Sequence, residues 1–242
     1  MSNNLPKHAQ IVVIGGGIMG CSTAYHLMSN GCKDVILLER SKLTCGTTWH
    51  SAAQVRQLRS NESLTKIVQN SVELYSSLEE ETGQATGWIQ TGSISIATNI
   101  DRLTHIQRQA SLSRAFGIVA EEITLSEANQ KWPLMRTDDL LGAVFSPSDG
   151  RVSPSDLCAA LVKGAKNMGL RVFEDSPVTG ISNKNGRVSG IKTLENEIST
   201  PSSLSFFLVS SIGSNLPGIS PIDPVAKQIN LLTLLPAILV IS

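Results

Sequence analysis

Apolar residues first gather in a short run, Ile11-Val12-Val13-Ile14, that breaks at three consecutive glycines. The run is β-branched and continuous, which is what a strand buried on both faces needs. The period then changes. Ala24, Leu27 and Met28 recur at helical spacing over 18–30, and Asn30-Gly31 stops that helix. A second apolar run predicts a strand over 34–39. Over 62–83, Leu64, Ile67, Val68, Val72 and Tyr75 mark a helix that Gly83 ends. Alternation predicts a strand over 88–98, and helices follow over 100–117 and 126–130. Residues 141–146 read as a strand. Pro154 opens a helix to Met168, with Gly169 as its stop. Strands are expected over 170–173, 178–181 and 188–194, with Asn185-Gly186 as a hairpin turn between the last two. Trp88 and Trp132 read as core residues. Strands separated by helices predict an α/β fold with a parallel sheet.

After Thr200 the pattern changes. Residues 201–242 are rich in Ser, Pro and Leu and nearly uncharged, apart from Asp223 and Lys227. The apolar stretch 231–241 is broken by Thr233 and Pro236 and is far short of the roughly 20 residues that cross a bilayer. It fits neither an amphipathic helix nor an alternating strand, and no membrane association is expected. Twenty Lys and Arg balance twenty Asp and Glu in a chain of 242 residues. No basic stretch stands out, which argues against a nucleic-acid surface. Cys21, Cys32, Cys45 and Cys158 are scattered, so neither a disulfide framework nor a zinc site is expected, and a reducing compartment suits them. His8, His26, His50 and His105 form no pair at ligand spacing, so no metal is expected. The N-terminus lacks the apolar core of a signal peptide and is too short for an Arg-rich transit peptide. A cytoplasmic location is expected, with the mitochondrial matrix open for a eukaryotic relative.

The candidate chemistry lies where the first strand meets the first helix. Gly15-x-Gly17-x-x-Gly20 joins them, and the second strand ends at Glu39-Arg40. This is the order of a dinucleotide-binding βαβ unit. Gly15 permits the tight turn, Gly17 lets a pyrophosphate approach the backbone, and Gly20 lets the helix pack close. The amides at the helix start, around Ile18 and Met19, favour the phosphate charge. Glu39 is placed to accept hydrogen bonds from ribose hydroxyls. It would repel a 2′-phosphate, although Arg40 beside it argues the other way. An adenine dinucleotide is the implied ligand.

The loop after the second strand reads Leu43-Thr44-Cys45-Gly46-Thr47-Thr48-Trp49-His50-Ser51-Ala52-Ala53. With Ile-Gly-Gly-Gly-Ile-Met-Gly and Leu-Leu-Glu-Arg, it resembles the sarcosine and dimethylglycine dehydrogenases. These are FAD-dependent amine oxidoreductases of the D-amino-acid oxidase superfamily. The likeness continues through Glu80-Glu81-Thr82-Gly83, Gly87-Trp88-Ile89-Gln90-Thr91-Gly92-Ser93, Pro133-Leu134-Met135 and Ser176-Pro177-Val178-Thr179-Gly180-Ile181, roughly residues 8 to 200. Trp49-His50 is its most specific element.

The resemblance implies a Rossmann-like FAD-binding domain of the D-amino-acid oxidase type with part of an α+β substrate domain. The FAD-binding part would comprise 1–60 and 141–200, and 61–140 would be a partial substrate or cap region. It also implies that His50 bonds covalently to the 8α-methyl of the flavin; the alternative is a loop histidine bonded to backbone. Gly46, Thr47 and Thr48 would face the pyrophosphate or simply form a turn. Val178 would meet the adenine through its backbone or be an ordinary strand valine. Arg56 and Arg59 would meet a substrate carboxylate or face solvent. Relatives usually carry glycine where this chain has Ala53, which would be strained at positive φ.

The implied reaction is oxidative demethylation of a small N-methylated amine, with a hydride passed to flavin N5 and formaldehyde released. No catalytic base is identifiable. An electron-transfer flavoprotein is a possible partner, and tetrahydrofolate is expected only for full-length relatives. Residues from about 201 are expected to be an aberrant tail from a shifted frame or a truncated gene. Two other readings stay open: a non-catalytic regulatory subunit resembling these flavoenzymes, which lacks the Trp-His pair, and an inactive fragment.

Overall fold

Strand β1 (Ile11–Ile14) and strand β2 (Val35–Leu38) lie parallel, in register from Ile11–Val35 to Ile14–Leu38, with α1 (Ile18–Ser29) crossing between them. The structure is a computed structural model and describes residues 4–59, 61–185, 187–200 and 207–209. All eight residues of β1 and β2 are buried. Ile11, Val13, Val35 and Leu37 enter one core, and Val12, Ile14, Ile36 and Leu38 enter another on the opposite face. The runs are continuous because both faces of the sheet are covered.

The chain continues through β3 (Gln54–Val55), α2 (Glu62–Thr82), β4 (Ser93–Ala97), α3 (Ile100–Ala115), β5 (Glu121–Ile123), α4 (Leu125–Lys131) and β6 (Gly142–Ser146). Then come β7 (Gly150–Arg151), α5 (Pro154–Asn167), β8 (Arg171–Phe173), β9 (Val178–Lys184), β10 (Arg187–Thr193), β11 (Glu197–Ser199) and β12 (Phe207–Val209). The parallel sheet has the order β12-β1-β2-β8. Helices α1, α2 and α5 contribute to the core on one face. Ile191 of β10 and Ile198 of β11, from the antiparallel sheet β11-β10-β9, fill the other. A second antiparallel sheet, β4-β6-β5, carries α3 on one face through Ala97, Ile106, Ala110 and Val144.

The helix ends follow their chemistry. Asn61 and Asn99 accept N–H bonds from Leu64 and Arg102 at the starts of α2 and α3. Gly83 closes α2 at φ 63°, where a side chain would be strained. Thr124 and Glu127 form a reciprocal cap that starts α4.

Several expectations change. The strand expected over 88–98 contracts to β4, and Ile89 instead makes a single bridge to Arg151. Strands β3, β5, β7 and β11 have two or three residues each, too few for a periodic signal. Trp132 is 55% exposed and is not a core residue, whereas Trp88 packs partly buried against the first core. Helix α2, in the segment assigned by sequence to the substrate region, packs Val68, Tyr75 and Leu78 into the same core as α1 and α5. The sequence pattern predicts no element beyond 200, yet β12 pairs with the second edge of β1, from Val12–Phe207 to Ile14–Val209. A central parallel strand needs a neighbour on both edges, and a distant uncharged segment supplies it. The rest of 201–242, and Gly186 of the expected hairpin turn, lie outside the described residues. Asn185 takes φ 54° between antiparallel β9 and β10, which suits that turn.

Candidate functional site

The turn from β1 into α1 makes a narrow mouth. Gly15 takes φ 105°, open to glycine and strained for other residues, and its N–H donates to Leu38 O across the sheet. Glu39 is buried at the tip of β2 and turns its carboxylate into this mouth. Its Oε2 accepts from Gly16 N–H at 2.6 Å and its Oε1 from Ser41 N–H at 3.0 Å. Helix α1 begins at Gly17 with no side-chain cap of its own and no acidic residue in its first turn. Instead Thr48, buried in the following loop, accepts the Ile18 N–H on its Oγ1 at 3.0 Å. A hydroxyl that accepts there keeps its own proton to donate. Ile18 is buried, Met19 packs partly buried against the first core, and Gly20 is buried within α1.

The loop is tied to the mouth at several points. Thr44 N–H donates to Gly16 O at 2.9 Å, and Leu43 N–H donates to Glu174 Oε1 at 2.7 Å. A Cβ on Gly16 would stand 2.5 Å from Leu43 Cδ2, and one on Gly17 would stand 3.0 Å from Thr48 Oγ1. The glycine motif does not single out Gly16, because its constraint comes from Leu43 folding back over it.

Thr48, Trp49 and His50 form one 3-10 turn. The Trp49 and His50 rings stack with centroids 3.7 Å apart at 34°. Both are exposed, as are Gly46 and Thr47. Ala53, three residues past the turn, sits at φ 60° and is buried. Arg40 points outward beyond the strand tip, exposed. Val178 begins β9, pairs with Thr193 and packs half-buried against the second core.

Arg56 and Arg59 follow β3 into a cluster that no sequence motif assembles. Arg56 Nη2 donates to Ser95 Oγ at 2.8 Å. Asp149, buried at the turn before β7, accepts from Gln57 N–H at 2.8 Å and from the Ser93 hydroxyl at 2.5 Å. Burial pushes the Asp149 carboxyl above its ordinary range, against the pull of those two bonds and both guanidinium groups. Burial, followed by the nearby Arg56 charge, lowers Arg59, and Asp149 opposes that shift. The one sequence signal for Asp149 is an acid beside a glycine at a turn, which is too common to be informative alone.

The model for the FAD dependent oxidoreductase family matches residues 10–234. The chain belongs to this family. Human mitochondrial sarcosine dehydrogenase is 42% identical over 206 residues, covering 83% of this chain and 22% of that protein. Rat mitochondrial dimethylglycine dehydrogenase is 38% identical over 173 residues, covering 72% and 20%. The mouse mitochondrial regulatory subunit of pyruvate dehydrogenase phosphatase is 38% identical over 194 residues, covering 80% and 22%. Among solved structures, L-proline dehydrogenase from P. horikoshii superposes with a TM-score of 0.76 at 30% identity, over 81% of this chain and 52% of that one. The chain thus spans between 20% and 22% of the length of these curated relatives. The family match also extends through most of the segment set apart from sequence as a tail.

An FAD dependent oxidoreductase needs an anion cradle beside a ribose acceptor, and the mouth supplies both kinds of group. Its helix start is free of acidic side chains, it has a hydroxyl with a proton to give, and its buried carboxylate is already bonded to the Gly16 amide. Among the described residues no cluster of His, Cys, Asp or Glu could hold a metal ion, and no helix is long and apolar enough to cross a membrane.

Proposed function

We propose that this chain holds FAD at the mouth between β1 and α1 and serves the oxidation of a small N-methylated amino acid. The amides from Gly15 to Gly20, with Thr47 and Thr48 and the Gly46 turn, would take the pyrophosphate. Glu39 would take the ribose, Arg40 would flank it, and the Val178 backbone would meet the adenine. Flavin, when bound, supplies the hydride acceptor. The protein's share is position: His50 would anchor the flavin ring covalently, and Arg56 and Arg59 would receive the substrate carboxylate. The observation that carries this reading is the Glu39 carboxylate bonded to Gly16 N–H at 2.6 Å, facing the anion end of α1. The demethylation itself is proposed by likeness to sarcosine dehydrogenase, with onward transfer to a flavoprotein acceptor and to folate belonging to longer relatives. On this reading 1–60 and 147–200, joined by α2, would form the FAD-binding part, and β4-β6-β5 would belong to the substrate part, which moves β6 (Gly142–Ser146) out of the 141–200 segment expected from sequence.

The test is direct. The purified protein is precipitated in acid and its pellet examined for flavin absorbance. Wild type is expected to retain colour in the pellet. His50→Ala is expected to release its flavin to the supernatant while still binding FAD before denaturation. A wild-type protein that takes up no FAD at any concentration would remove the proposal. That result would favour the second reading, a regulatory role like that of the phosphatase subunit it matches at 38% identity.

A further inference from the structure

From sequence, Asp149-Gly150 is only a turn, yet Asp149 is 2% exposed. Both of its carboxylate oxygens are held by neutral donors, Gln57 N–H and the Ser93 hydroxyl. These bonds fix the place of the charge without cancelling it. Gln57 is the residue after Arg56, and its side-chain amide donates to Ser148 O at 2.7 Å. The clamp therefore grips the backbone between the two arginines. Arg56 reaches Ser95, which shares a face of β4 with Ser93. Arg56 and Asp149 also line one cavity of about 20 Å³, enough for a single water. Both guanidinium groups act on this buried carboxylate, and it acts on Arg59 in return.

We propose that Asp149 sets the charge specificity of the Arg56–Arg59 site, so that it accepts a monocarboxylate and disfavours a dicarboxylate. This rests on the reading of that pair as the substrate-carboxylate site. The first carboxylate of a ligand meets the two guanidinium groups. A second one meets a fixed negative charge where burial weakens solvent screening. Asp149→Asn is a clean probe. Its Oδ1 can still accept from Gln57 N–H and its Nδ2 can donate to Ser93 Oγ, so the clamp keeps its shape and loses its charge.

The experiment is calorimetric titration of the FAD-loaded protein with methoxyacetate and with diglycolate. These ethers differ by one carboxylate and carry no amine to oxidise. Wild type is expected to prefer methoxyacetate. D149N is expected to shift the ratio of the two dissociation constants toward diglycolate by about tenfold. A folded D149N protein with the wild-type ratio overturns the inference. Arg59→Ala separates the charge filter from the carboxylate site beneath it. It should weaken both ligands, and unchanged methoxyacetate binding would remove the carboxylate-site reading itself. If D149N does not fold, Arg56→Gln takes its place. Loss of one positive charge should move the ratio further from diglycolate, and no movement overturns the inference.

Discussion

Gly16 and Gly46 both lie in the glycine-rich part of the site, but only one is constrained. A methyl group on Gly16 would collide with Leu43 at 2.5 Å, whereas one on Gly46 meets nothing within 4 Å. Gly16→Ala is therefore expected to purify with little bound flavin, and Gly46→Ala with near wild-type content, read from absorbance per protein. Glu39→Gln removes the charge while keeping an acceptor for Gly16 N–H. Charge-assisted bonds to hydroxyls are about twice as strong as neutral ones, so FAD affinity should fall by about tenfold or more by fluorescence titration. Ala53 holds φ 60° with a side chain that disfavours it. Replacing it by glycine should raise stability by about 1 kcal/mol in urea unfolding, since relief of left-handed strain outweighs the extra freedom of the unfolded chain. In the sequence that strain is legible only as a conditional: alanine where relatives carry glycine. The φ value itself depends on how Ala53 O receives Val152 N–H at 3.1 Å from the segment leading into α5.

At the scale of elements, three helices share one core through a small residue. Gly164 of α5 faces Tyr25 of α1 and Thr82 of α2, and a Cβ there would lie 2.9 Å from Tyr25 Cε2. Tyr25 in turn donates its hydroxyl to Glu81 at 2.9 Å, which joins α1 to α2. Burial and that carboxylate together push the Tyr25 hydroxyl up to about 12. Gly164→Ala should overpack this junction and cost about 1–3 kcal/mol, read as a lower urea midpoint at unchanged slope. The helices are largely legible in the sequence because each combines an apolar stripe with a stop residue. The glycine at their crossing is not, since a helical glycine in sequence looks only like a weak helix former. The short strands are illegible for a different reason. Two residues such as Gln54 and Val55 become a strand only because Gly150 and Arg151 come alongside them.

Across the whole molecule, Asp149 binds three regions together: the turn before β7, the start of β4 and the segment after β3. Its ionisation therefore bears on the junction between the parallel sheet and the β4-β6-β5 sheet. Burial raises its folded-state value above that of the unfolded chain, so the folded protein holds the proton to higher pH. The associated stability is full below the unfolded value and is lost as pH rises through the folded one. The thermal midpoint of Asp149→Asn relative to wild type should accordingly climb as pH rises from about pH 4, the ordinary carboxylate range, towards neutrality. A flat difference across that range would show that the carboxylate titrates as it does in the unfolded chain.

The order strand–glycine–helix–strand–acid, the family likeness and most helix limits are written in the amino-acid sequence alone. These are local facts, carried by hydrophobic period, capping residues and the conformational needs of glycine. Tertiary packing decided the rest. It turned Glu39 inward to the Gly16 amide, laid Leu43 over that glycine, set β12 against β1 and gathered Arg56, Arg59, Ser93 and Asp149 at one corner. The Asp149–Gln57 bond spans 92 residues. No local pattern encodes such a contact, because it exists only once two separately specified segments have packed against a common core.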